Sequence, residues 1–352
     1  MQKLDDIKKI EKLDPEDMYH KIIHLPEHIL NAYQNPQIHL PSSFGKLNPK
    51  KIKRIVICGM GGSAISADIA KAAFGNLIPV EVVKDYNIPF LNEETLVITI
   101  SYSGNTEETL SCLRQAIEKT DFIAAITSGG TVKKLVDEKY CWLELPIGLP
   151  PRSAIGHLFF SLVKLLETFA IIPSQELVVK QIVADLIKKA GAISVNTPTE
   201  ENIAKTAAIA IKGKIPIIYS SSPSLAPLAY RWKCQINENA KYPAFWHYFP
   251  EMNHNESEGW EAKNFGDRFI PIVLSRMNEE ENYKKRIRAF KKIFGKIDVK
   301  YLEYFVEGDS LIEEIFSLIY LGDMISFYLA ILQEVNPTTI EFINFLKKEI
   351  SE

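Results

Sequence analysis

The strongest constraint on the fold is an alternation that begins at Ile55. Short apolar runs, "IVICG" (55–59), "VEVVKD" (80–85), "LVITIS" (96–101), "FIAAITS" (122–128) and "CWLEL" (141–145), are separated by amphipathic stretches such as 105–119 and 131–138. Runs of this length read as strands buried on both faces, and strand–helix alternation implies a parallel sheet flanked by helices. The alternation pauses over 156–190, a mostly apolar helical region that Pro173 divides. It resumes with "IPIIYS" (215–220), "FIPIVL" (269–274) and "VKYLEYF" (299–305), with helices expected near 224–238, 279–294 and 310–334. Thr197-Pro198-Thr199-Glu200 reads as a capping box with proline at the first helical position, and Ser310-x-x-Glu313 as another. The expected fold class is α/β: two consecutive doubly wound domains, each with a mostly parallel sheet flanked by helices. They would occupy 41–190 and 191–352, behind a helical lead-in at 1–40.

At 352 residues the chain exceeds a typical single core, which agrees with two domains. A net charge of −3 carries no footprint for nucleic acid. No uninterrupted apolar run reaches about 18 residues, so no membrane span is expected. The opening "MQKLDDIKKIEKLDPED" is too charged for a signal peptide and too acidic for a transit peptide. Cys58, Cys112, Cys141 and Cys234 are widely spaced and read as reduced thiols of a cytoplasmic protein. His20, His24 and His28 recur every fourth residue, but Pro26 interrupts them and no carboxylate or cysteine pattern completes a metal site.

Two loops carry chemistry. "GMGGSAISAD" (59–68) leaves a strand and opens a helix. Its glycines are not spaced as in a dinucleotide fingerprint, and no Gly-Lys-Ser/Thr follows as in a P-loop. Glycine there lets backbone approach a ligand, and a helix N-terminus favours an anion. "SYSGNTEET" (101–109) is the second strand-to-helix loop, and Ser101, Ser103 and Thr106 present neutral donors on one short turn. Ligands of parallel sheets sit at the carboxyl ends of strands, so two such loops at one edge suit a shared phosphate.

"GMGGSA" followed by "SYSGNTEETL" resembles a sugar isomerase (SIS) domain. "GLPPRSAIGHLFF" (148–160) and "NENAKYPAF…PEMNHNESEGW" (237–260) narrow the resemblance to the bifunctional phosphoglucose/phosphomannose isomerases, built of two SIS domains. The resemblance runs from about residue 50 to the C-terminus. It implies that Gly62 and Ser63 of the first loop and Ser101, Ser103 and Thr106 of the second bind the sugar 6-phosphate. It implies that Arg152 stabilises the developing enediolate. It assigns the base to Glu238, which position alone does not separate from Glu251, Glu256 and Glu258. Ring opening falls to His254, reaching the site from the partner of a homodimer, whereas His247 among aromatics reads as packing. Lys347, rather than the adjacent Lys348, is the matching lysine of the C-terminal helix. Thr338 and Thr339 are candidates for the threonine that leaves room at C2 for both epimers. The reaction is expected to need no cofactor and no metal. Two other readings share these loops: a sugar-phosphate isomerase with a single substrate, and a non-catalytic sugar-phosphate sensor. The base and the ring-opening acid together in 237–260 argue against the first, and the short lead-in, with no basic recognition helix such as a DNA-binding regulator adds, argues against the second.

Overall fold

The computed structural model describes residues 2–44, 48–261 and 266–351. The chain divides into two compact units, His24–Ala184, and Asp185–Glu352 together with Met1–Ile23. Two short helices open the chain, α1 (Ile7–Leu13) and α2 (Met18–Ile23). The Asp14 carboxylate caps α2, accepting the backbone N–H groups of Met18 at 2.7 Å and Tyr19 at 2.8 Å.

The unit His24–Ala184 runs through α3 (Leu25–Gln34), β1 (Gln37–His39), β2 (Arg54–Gly59), α4 (Gly61–Phe74), β3 (Val80–Val83) and β4 (Thr95–Ser101). It continues with α5 (Glu107–Ile117), β5 (Ile123–Thr127), α6 (Gly130–Val136), β6 (Cys141–Glu144), α7 (Ile155–Thr168) and the start of α8 (Glu176–Ile193). Its sheet has the order β1-β6-β5-β4-β2-β3. Every pairing is parallel except that of β1 with β6. All residues of β4 and β5 are buried, as double-faced strands require. Val56, Val97, Ala125 and Trp142 pack with Leu110, Leu113, Val132 and Val136 of α5 and α6 on one face. His28 of α3 lies against His157 of α7, ring centroids 4.9 Å apart. Burial pushes the His157 imidazole down to about 4 and lowers that of His28, so both rings are neutral packing groups.

The other unit takes the remainder of α8, then α9 (Ile203–Ile211), β7 (Ile215–Ser220), α10 (Ala226–Ala240), β8 (Phe245–Tyr248) and α11 (Glu256–Gly259). It ends with β9 (Phe269–Arg276), α12 (Glu281–Lys296), β10 (Leu302–Val306), α13 (Leu311–Gln333) and α14 (Glu341–Ser351). Its sheet, β10-β9-β7-β8, is parallel throughout. Both units are therefore of the expected α/β class. The expected capping box at 197–200 opens only a three-residue 3-10 turn, Thr199–Glu201, with no side-chain capping bond. The Thr197 hydroxyl donates to the Gly191 carbonyl and the Thr199 hydroxyl to Asp5. Instead α9 starts at Ile203, where the Asn202 side chain accepts the N–H groups of Ala204 and Lys205. At α13, the Ser310 hydroxyl accepts the Glu313 N–H at 3.2 Å, as the motif predicts.

Helix α13 is long and apolar enough to cross a membrane, but it is almost wholly buried inside its unit. Polar ties fasten α10 to it. Arg231 donates to Asp323 at 2.5 Å, the Trp232 indole to the Leu318 carbonyl at 2.9 Å, and Asn239 to the Ser326 hydroxyl at 2.9 Å. Burial raises the Asp323 pKa, and the Arg231 guanidinium opposes that shift. Asp323→Ala would take the carboxylate away from a buried guanidinium, and breaking a buried ion pair from one side typically costs about 3–5 kcal/mol. The expected result is a lower urea midpoint with an unchanged slope.

Candidate active site

In the unit His24–Ala184 the strand order reverses between β2 and β4: β3 extends the sheet on one side, β5 and β6 on the other. Gly59 at the end of β2 pairs with Ile100 near the end of β4, so the two strands finish level. Loops leaving such neighbours flank the crevice where ligands of open parallel sheets bind. These loops are residues 60–63, entering α4, and 102–106, entering α5. Neither Met60 nor Thr106, the N-cap residues, makes a side-chain capping bond. The first-turn N–H groups of both helices are thus without the usual side-chain acceptor, and an anion satisfies such groups.

The loop at 101–106 is held by its own hydroxyls and by a neighbour. The Ser101 and Thr106 hydroxyls are 2.9 Å apart, and Ser101 Oγ also accepts the Gly104 N–H at 3.1 Å. Ser103 is exposed, and its hydroxyl accepts the Asn105 N–H at 3.3 Å. Gly104 has φ +69, and a Cβ there would fall 1.8 Å from the Gly129 carbonyl oxygen, so no other residue fits. The Asn105 side-chain oxygen accepts both the N–H and the hydroxyl of Thr131, each at 3.0 Å. A third loop, 128–131 after β5, therefore buttresses the second. Sequence reasoning did not single it out, although "TSGGT" repeats the small-residue signal at the same sheet edge.

Arg152 lies beside the first loop. It sits in a short 3-10 turn, Pro151–Ser153, and is 5% exposed. A Cβ on Gly62 would be 2.9 Å from the Pro151 carbonyl oxygen and 3.7 Å from the Arg152 Cα. Only glycine admits this approach of the arginine turn to the start of α4. Tyr102 links the same turn to the second loop. Its hydroxyl donates to the Pro146 carbonyl at 2.6 Å and accepts the Leu149 N–H at 2.9 Å. Its own carbonyl accepts the Ser128 hydroxyl at 2.6 Å. Gly62, Ser63, Ser101, Ser103, Thr106 and Arg152 are thus gathered at one edge of one sheet.

In the other unit Glu238 occupies the last turn of α10, half-buried. Since α10 runs back along the sheet, Glu238 is roughly 18 Å along the helix from its start near the end of β7. It lines a cavity of about 550 Å³ with Lys241, Asn336, Thr339 and residues 341–343, the first turn of α14. Lys241 has a left-handed backbone, and its ammonium donates to the carbonyls of Glu238, Asn239 and Asn336. This lysine, unassigned from sequence, closes the end of α10 and ties it to the opposite cavity wall. Of the two candidate threonines, Thr339 lines the cavity, whereas the Thr338 N–H binds the Asn336 side chain.

Lys347 lies farther along α14, where residues 341–350 are all exposed. Phe342, Phe345, Leu346 and Ile350 are 86, 58, 57 and 68% exposed on that helix. His254 is also exposed, at the end of a 3-10 turn, Glu251–His254, that follows β8. His247 lies within β8, its Nδ1 accepting the Tyr248 N–H at 2.8 Å.

Residues 50–155 match the SIS domain family model, and residues 200–350 match the bacterial phospho-glucose isomerase C-terminal SIS domain. A bifunctional phosphoglucose/phosphomannose isomerase of Caldicellulosiruptor bescii is 34% identical over 345 residues, spanning 95% of this chain and 99% of the relative. One from Thermoplasma acidophilum is 39% identical over 312 residues, spanning 87% and 93%. Among solved structures, a tagatose-6-phosphate ketose/aldose isomerase from Escherichia coli superposes with a TM-score of 0.68 at 16% identity, covering 92% of this chain and 95% of that one. At that identity the likeness concerns the fold.

Proposed function

The chain belongs to the family of bifunctional phosphoglucose/phosphomannose isomerases, and from that premise we propose that it interconverts glucose 6-phosphate and mannose 6-phosphate with fructose 6-phosphate by proton transfer through an enediol. The observation that carries this reading is the pair of loops at the switch point, one glycine-rich and one hydroxyl-rich, each opening a helix without a side-chain cap. Gly62, Ser63, Ser101, Ser103 and Thr106 bind the 6-phosphate. Arg152, buried beside them, stabilises the negative charge that develops as the enediolate forms.

Glu238 is the base. It takes the proton from C2 of the aldose and returns it to C1, and the O1 and O2 protons exchange in step to leave the ketose. Its place on a cavity wall supports this role. Glucose and mannose differ in configuration at C2, so one carboxylate serves both only if the substrate can turn about C2–C3. Thr339, a small side chain on the same cavity, supplies that room. His254 opens the closed sugar ring, donating to the ring oxygen and accepting the anomeric proton, a task suited to an imidazole, which can both give and take a proton. Lys347 adds a positive charge from α14.

The protein acts as a cytoplasmic homodimer in which His254 serves the partner's site. Two features of the isolated chain support this: His254 is exposed, and α14 carries an uncovered apolar stripe. The decisive assay presents fructose 6-phosphate to the purified protein and quantifies glucose 6-phosphate and mannose 6-phosphate separately. Formation of both supports the reading, and formation of neither removes it. Ser103→Ala and Thr106→Ala should each raise KM for fructose 6-phosphate. Each deletes a hydrogen bond to a charged group, worth about 1.5–3 kcal/mol, or roughly 10- to 150-fold. Wild-type KM and kcat in both variants would place the phosphate elsewhere.

A further inference from the structure

The segment that carries His254 is anchored on both sides of the histidine by unlike means. Before it, Phe249 and Met252 are fully buried in a cluster with Tyr219, Phe290 and Phe294. After it, the Trp260 ring stands edge-on to Phe294, centroids 5.1 Å apart. These contacts are apolar and non-directional, so they fix depth better than register. The directional contact is made by Tyr219, a fully buried residue of β7. Its hydroxyl donates to Glu256 Oε1 at 2.5 Å and lies 3.3 Å from the Trp260 indole nitrogen, which donates to it. Glu256 is the first residue of α11, two positions beyond His254. Burial, followed by the Glu256 carboxylate, raises the phenol's pKa far above its usual value, so it remains a donor at any pH the enzyme meets.

Phenylalanine would fill the aromatic cluster as well as tyrosine does. The hydroxyl is therefore there for its bonds, one donated to Glu256 and one accepted from the Trp260 indole, and the bond to Glu256 is the one nearer His254 on the segment it stands on. We propose that Tyr219 and Glu256 form a positioning pair for ring opening, holding His254 at the orientation in which it can reach a closed-ring substrate. The inference rests on the reading of His254 as the ring-opening group. Neither Tyr219 nor Glu256 touches the reacting carbons in this scheme. Their effect passes through His254 alone.

The test compares Tyr219→Phe, Glu256→Ala, Glu256→Gln and His254→Ala with the unaltered protein on two substrates. One is glucose 6-phosphate, which enters mainly as a closed ring. The other is 5-deoxyfructose 6-phosphate, which lacks the hydroxyl needed to cyclise, with exchange of its C1 proton followed by NMR in D₂O. Tyr219→Phe and Glu256→Ala should lower kcat on glucose 6-phosphate about ten-fold. They should leave KM unchanged and proton exchange on the open-chain analogue within about two-fold of the unaltered enzyme. Glu256→Gln keeps an oxygen that accepts the phenol's proton and should recover most of the loss. Unaltered turnover of glucose 6-phosphate in Tyr219→Phe and Glu256→Ala, with a selective loss in His254→Ala, would overturn the positioning role while leaving the histidine's role intact. An equal loss on both substrates would reduce the pair to ordinary structural support and overturn it as well. If His254→Ala shows no preference for the closed ring, the ring-opening reading fails and the pair's role with it. Should Tyr219→Phe not fold, Glu256→Ala tests the same bond from its less buried end.

Discussion

Glu238→Gln should abolish nearly all turnover on every form of substrate, open-chain or closed. Glutamine keeps the shape of the side chain and its hydrogen-bonding oxygen but cannot accept a proton at neutral pH. Proton transfer by a positioned group typically contributes about 10²–10⁴-fold, and in the proposed scheme one carboxylate carries both the removal at C2 and the return at C1. The fall should appear in kcat. KM should change little, because in the proposed scheme the phosphate is held by Ser63, Ser101, Ser103 and Thr106 rather than by Glu238. Exchange of the C1 proton of fructose 6-phosphate with D₂O should stop in parallel with isomerisation, since both need the same enediol. Persistent exchange in Glu238→Gln would move the base to another carboxylate, and Glu251 and Glu258 on the following exposed segment are the next to replace.

The central strands of both sheets are legible in the sequence because their burial excludes charge: β4 and β5 contain only Ile, Leu, Val, Ala, Thr and Ser. β1 and β8 are not legible. They are three and four residues long, lie at sheet edges and are partly exposed, so they carry neither a long apolar run nor a strict alternation. The phosphate loops are legible for a related reason. Glycine and hydroxyl residues at a strand-to-helix junction are local signals, and the level ends of β2 and β4 follow from the alternation. Glu238 is a harder case. The rule that ligands gather at the carboxyl ends of strands points in its unit to the serine-rich turn after β7, whereas Glu238 is at the far end of the helix that follows. Position therefore could not separate it from its neighbours, and resemblance had to. Tyr102, Lys241 and Tyr219 escape sequence reasoning because their partners are 44, 95 and 37 residues away, and spacing holds no trace of such contacts.

His254→Ala should fail in a manner unlike Glu238→Gln, and the two failures should repair each other. Removing the imidazole deprives a closed-ring substrate of its acid–base group, a loss of about 10²–10⁴-fold, but leaves the enediol step in place for a sugar that is already open. An analogue unable to cyclise should therefore retain exchange activity in His254→Ala and lose it in Glu238→Gln. Consider now a dimer formed by one chain of each variant, with His254 donated across the interface. The site built on the His254→Ala chain has its own Glu238 and receives the intact histidine of its partner. The other site has neither group. Equal amounts of the two variants, allowed to exchange subunits at random, give about half heterodimers, each with one complete site of two, so roughly a quarter of full activity should return from two nearly inactive preparations. The recovery should grow with time at the rate of subunit exchange, which a tag on one variant measures independently by pull-down. If exchange is complete and activity stays at the level of the separate variants, both groups serve a site within one chain. The uncovered apolar face of α14 would then need some occupant other than a partner that completes the site.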